Sequence, residues 1–164
     1  MMAAVASVVM LASYFPYLTY AVPAAAGAAV LVVLLEAGVA PSLITYAVAA
    51  AITLITSEPE SKILFVLFFG YYPVVKGVFD KKFPKAVSWI LKTAVFNAAV
   101  LLSYYLIINI FGMDVFDGEK VKTAFAILLL AAGNIVFVIY DFALQKFASL
   151  YLARIHPKVS RYFK

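Results

Sequence analysis

Four ionisable residues stand within or at the edges of otherwise apolar stretches of this chain: Glu36, Lys76, Lys92 and Asp141. A charge inside a membrane is costly unless it is paired or hydrated, so such residues are the first suspects for chemistry. Lys92 and Asp141 lie at matching depths in their segments and carry opposite signs, and Glu36 and Lys76 match in the same way. Two interhelical pairings are therefore expected, Lys92 with Asp141 and Glu36 with Lys76. The set could relay a proton or an ion. It could equally hold helices together, with the lysines reaching toward the interface. The nearness of all four to one interface favours the structural role.

A second set is uncharged. Asn97 and Asn134 fall near the middle of their segments, and Asn109 lies near the far end of its own. On a helix Thr93, Asn97 and Tyr104 share one face, as do Asn134, Asp141 and Gln145. If the faces meet they form a polar seam. Such a seam can act as helix glue, or it can line a small-molecule pocket between helices. In the pocket reading Asn97, Tyr104 and Asn134 bind the solute, and Tyr14, Tyr17 and Tyr20 cover its mouth. Tyrosines around Pro16 are also what a membrane interface selects, at a span end or a re-entrant turn.

Other chemistries find few residues. Cysteine is absent and His156 is the single histidine, which removes disulfides and the usual zinc sets. Asp114, Asp117 and Glu119 depart from the spacing of a calcium loop, and no phosphate-binding glycine loop is present. No enzyme activity, metal or cofactor is expected.

The elements that must position these residues are apolar helices. Of 164 residues 66% are hydrophobic and 13% charged, with a mean hydropathy of +1.05. Soluble domains run at roughly 45–50% and 25%. The length suits one all-α integral membrane bundle. The net charge of +5 clusters at the ends of apolar runs, which points to membrane lipid rather than nucleic acid. Met1 to Ser13 lacks the basic flank of a secretory signal and reads as a retained first span.

Six segments are expected: 3–15, 23–37, 42–56, 63–75, 86–111 and 123–142. Gly38 to Pro41 is read as a turn, Ser42 as a cap, and 57–62 as a polar loop. Pro73 is expected to kink or end the fourth segment, and 76–85 to form a short basic hinge. The bundle then covers residues 1–142. A basic tail, 143–164, either leaves the bundle or continues as an interfacial helix to Pro157. Six spans with both termini cytoplasmic put Lys76, Lys81, Lys82, Lys85 and five tail cations inside, against Lys62, Lys120 and Lys122 outside. That asymmetry satisfies the positive-inside rule, and a five-span arrangement does not. The expected location is multi-pass in a bacterial inner (plasma) membrane.

Six short spans, aromatic outer connections and a small-residue first helix together resemble the substrate-binding S components of energy-coupling factor transporters. The resemblance covers the chain in architecture. It implies a subunit that binds a vitamin-like solute from outside and docks onto a scaffold subunit driven by two ATPases. Docking in that family uses alanines four apart, and Ala4 and Ala12, bracketing Val8, match the pattern in part. The rival expectation is a structural or assembly membrane protein with no ligand, whose polar seam serves packing.

Overall fold

The computed structural model describes residues 1–15, 17–111 and 119–154, and the side chains of these except 107–127 and 129. Pro16, His156, Pro157 and the last tail cations lie outside it, as do the side chains of Asn109, Asp114, Asp117, Glu119, Lys120 and Lys122. The described residues are helical, without strands. In order they form α1 (Met2–Leu11) with a 3-10 extension (Ala12–Tyr14), α2 (Ala21–Ala37), α3 (Val39–Thr56), α4 (Pro59–Leu64), a π-helical segment (Phe65–Phe69), α5 (Tyr72–Lys82), α6 (Lys85–Phe111) and α7 (Glu119–Arg154).

Four helical rods are long and apolar enough to cross a membrane: Val39–Thr56, Pro59–Lys82, Lys85–Leu106 and Leu130–Arg154. These mark the chain as a membrane protein. The 10-residue α1 and the 17-residue α2 are apolar but shorter, below the ~20 residues a full crossing needs.

Several local expectations change. The turn after α2 shrinks to Gly38, whose φ of 88° lies in the left-handed region that favours glycine. Ser42 does not cap α3. Its hydroxyl donates back to the Val39 carbonyl at 2.7 Å. The polar 57–62 stretch is mostly helix, because Pro59 takes the first turn of α4, where a missing N–H costs nothing. The basic hinge is likewise shorter. Helix α5 runs to Lys82, so Lys76 and Asp80 are helical residues four apart. No break occurs at Phe142 either: α7 continues to Arg154, with Leu144 and Tyr151 buried against the bundle.

Pro73 does disturb its rod, and it does so one turn early. Proline has no N–H to offer the Phe69 carbonyl. The chain widens just before it, with Gly70 N–H donating to Phe65 O at 2.8 Å, five residues back. Neighbouring helices close around the widened turn. Tyr46 on α3 donates its hydroxyl to the Val66 carbonyl at 2.6 Å. Gly27 on α2 packs so close that a Cβ there would stand 2.3 Å from Phe69 O.

Packing divides the bundle in two. Around α1, α2 and α3 the core is built of small residues, Ala6, Ala26, Ala49 and Ala50, with Met10, Val22 and Phe65; small faces let helices approach closely in lipid. Around α5, α6 and α7 it is aromatic, centred on Phe68, Tyr72, Phe96, Phe137 and Tyr140. Phe96 and Phe137 stack at 4.8 Å between ring centres.

Candidate functional site

Three polar features sit along α6 and α7, and each disposes of its hydrogen-bonding groups differently. The first is at the Lys76–Lys85 end. Tyr72, Lys76 and Asp80 recur every four residues on α5, so they share one face. Ser88 and Lys92 do the same on α6, and Asp141 faces both from α7. The Asp141 carboxylate is 1% exposed. It accepts from Tyr72 Oη at 2.5 Å, Lys76 Nζ at 2.8 Å and Lys92 Nζ at 3.3 Å. Asp80, half-exposed, accepts from Ser88 Oγ at 2.6 Å, Lys92 Nζ at 3.0 Å and Lys76 Nζ at 3.2 Å. The Lys92 ammonium also lies 4.6 Å from the Trp89 ring centre. Two cations and two anions thus neutralise one another, which is how buried charge is tolerated.

The structure therefore brings Lys92 and Asp141 together, but in a four-residue network. Lys76 joins them instead of standing in a separate pair with Glu36. Glu36 is exposed near the end of α2 and accepts a hydrogen bond from Tyr151. Asp80, Tyr72 and Ser88 were not singled out from the sequence. The four-residue spacing of Tyr72, Lys76 and Asp80 was the available signal, hidden by reading 76–85 as a loop. Beside the network is a cavity of about 390 Å³, lined also by Lys85, Trp89, Phe142 and Gln145.

The second feature is the asparagine pair. Asn134 Nδ2 donates to Asn97 Oδ1 at 3.0 Å, and Asn97 Nδ2 to Asn134 Oδ1 at 3.4 Å. Each amide also donates to the carbonyl four residues back, Thr93 O and Leu130 O. An amide has two N–H donors, so all four are spent within the pair and its own helices. The two asparagines of the expected seam meet, each amide donating to the other's carbonyl oxygen.

The third feature is a groove of about 670 Å³ between α2, the α4–π rod, α6 and α7. Phe68, Phe69, Phe96, Ala99 and Val100 form its floor and walls. Ala132, Val136, Ile139 and Ala143 run along one exposed stripe of α7 and form an edge, so the groove opens sideways to whatever surrounds the bundle. Of its three hydroxyl-bearing lining residues Tyr20 is exposed, which leaves Ser103 and Tyr140, whose hydroxyl oxygens are buried at its wall. Both residues are more than nine-tenths buried, and neither oxygen has a hydrogen-bond partner among the described residues.

No family model, curated protein or solved structure matches the chain. The site must therefore be read from its own geometry.

Of the six residues expected to bind solute, Tyr20 alone lines the groove; Asn97, Tyr104 and Asn134 do not. Tyr14 and Tyr17 are exposed, Tyr17 almost fully at 98% with a φ of 71°. The connection that carries them is tied to the next rod. Ser61 Oγ donates to Thr19 O at 2.9 Å, and Thr19 Oγ1 to Glu58 Oε2 at 3.2 Å. Of the two alanines matching the docking pattern, Ala4 is exposed beside Val5 and Val8, and Ala12 packs against the small-residue core. Among the described residues no group of three acidic or histidine side chains could hold a metal.

Proposed function

We propose that the protein is a membrane-embedded binding subunit for a small, mostly apolar solute held in the groove between α2, α6 and α7. The observation that carries this reading is the pair of buried, unpartnered hydroxyls, Ser103 and Tyr140, at a cleft whose other lining residues, Tyr20 apart, are apolar. An unsatisfied buried hydroxyl costs about 1–3 kcal/mol. A ligand that supplies an acceptor removes that cost, while its apolar body fills the groove. The exposed α7 stripe gives such a molecule a lateral route from lipid.

The π-helical turn supports the same reading, because it sets Phe68 and Phe69 into the groove wall, and π-bulges recur at functional sites. The resemblance to S components of energy-coupling factor transporters extends the proposal to a transport subunit working with a scaffold and ATPases in a cytoplasmic membrane. Six crossings and cytoplasmic termini belong to that extension. A purely structural role draws support from one specific observation, the mutual satisfaction of Asn97 and Asn134.

Native mass spectrometry of protein extracted gently from membranes tests the groove. The wild type should carry a bound mass of a few hundred daltons. Val136→Trp, which places an indole on the exposed edge, should empty the site while leaving the fold intact, and Ser103→Ala should weaken retention. Wild-type protein that emerges empty, and whose melting temperature no apolar solute raises, would favour the structural role. Co-purification of the tagged chain with a scaffold and ATPases tests the transport extension separately.

A further inference from the structure

We propose that the cavity at the Lys76–Lys85 end is a second site, one that takes a phosphate group carried on a short apolar skeleton. It is separate from the solute groove and does not depend on it. The argument is an inventory of what the cavity has left to offer. Its carboxylates are largely spoken for. Both Asp141 oxygens accept hydrogen bonds, Oδ1 from Tyr72 and Lys92 and Oδ2 from Lys76 and Lys92. Asp80 Oδ1 accepts from Ser88 and Lys92, and its Oδ2 faces Lys76.

The donors are not exhausted in the same way. An ammonium has three N–H groups, and Lys76 directs two of its own at Asp80 and Asp141. Lys85 lines the cavity and enters no ion pair among the described residues. The Trp89 indole and the Gln145 amide line it too. Counting Lys76, Lys85 and Lys92 against Asp80 and Asp141, the lining carries one positive charge in excess. A donor-rich, partly buried, net-positive cavity selects an anion, and lysine is a common phosphate ligand. Phe83, Trp89 and Phe142 give the lining an apolar side, which suits a phosphate joined to carbon more than a bare ion. The group could come from an anionic lipid head or from a soluble phosphomonoester; the recognition chemistry is the same.

The test uses the full chain in phosphatidylcholine nanodiscs, with melting temperature and native mass spectrometry as readouts. One arm adds n-butyl phosphate, a phosphomonoester on a short apolar chain, and the other replaces part of the lipid with phosphatidylglycerol. Binding is expected in at least one arm, and which arm responds identifies the source. Lys85→Gln, an exposed change, should weaken binding about tenfold, the scale of one charge-assisted contact. Gln145→Glu should abolish it by adding a third carboxylate to the lining, which cancels its excess positive charge. Asp80→Asn should tighten it several-fold, because it removes a negative charge from the lining. Lys81→Gln with Lys82→Gln serves as the control, since neither residue lines the cavity. Absence of binding in both arms would overturn the proposal. So would binding that the Lys81 and Lys82 changes abolish while Lys85→Gln and Gln145→Glu leave it intact, since that result marks a diffuse basic surface.

Discussion

Tyr140 and Asp141 are adjacent on α7, both buried, and they face different cavities. Asp141 is met by a tyrosine and two lysines from two other helices. Tyr140 lines the apolar groove, and its buried hydroxyl has no hydrogen-bond partner among the described residues. The cost of burying a polar group is thus met in two ways one residue apart. At the charged end, partners from α5 and α6 satisfy the carboxylate, and that region is a fastener first. At the groove wall two hydroxyls are left unpartnered, and an unmet hydrogen bond of that kind is what a ligand can use. A buried polar group suggests binding when its hydrogen bonds are missing. A polar group whose bonds are complete suggests architecture.

Breaking the charged fastener should have the largest effect. Asp141→Leu leaves two buried ammonium groups to share the single carboxylate of Asp80, and removing one side of a buried pair costs about 3–5 kcal/mol. Thermal unfolding in detergent should show this as a large loss. Adding Lys92→Leu should recover part of it, because Lys76 then keeps Asp80 as its partner. A double variant no more stable than the two single losses combined would mean the residues act independently.

Next comes the wall of the groove. Gly27→Val drives a side chain into the Phe69 carbonyl beside the Tyr140 hydroxyl, and overpacking of this kind costs about 1–3 kcal/mol. Unlike Asp141→Leu, it should also reduce the solute bound on extraction, as the π turn carrying Phe68 and Phe69 shifts. If stability falls and solute retention does not, the groove wall and the binding site are not the same structure.

The smallest effect is expected at the asparagine pair. A double-mutant cycle of Asn97→Leu and Asn134→Leu should return a coupling of about 0.6–1.7 kcal/mol, the range for hydrogen bonds between membrane helices. Neither substitution should alter solute retention. Loss of bound solute in Asn97→Leu would return this amide to the binding site and blur the contrast between satisfied and open polar groups.

Sequence alone determined the class and the coarse plan. Composition excludes a soluble domain, and apolar run length decides which segments can cross a membrane, because both depend only on what lipid tolerates along a helix. Depth along the chain likewise placed Lys92 near Asp141 and Asn97 near Asn134, since helical rise converts sequence distance into height. Sequence could not say which faces would meet. Asp80 entered the charged network only because α5 continues through the basic stretch and α6 returns beside it. Glu36 sits near Tyr151 because α7 continues past Phe142. Ser103 and Tyr140 carry no local signal of being unpartnered. A hydroxyl's satisfaction depends on the rotation of each helix and on what the opposite helix presents. Those are properties of the packed bundle, and they decide which buried polar groups remain open to a ligand.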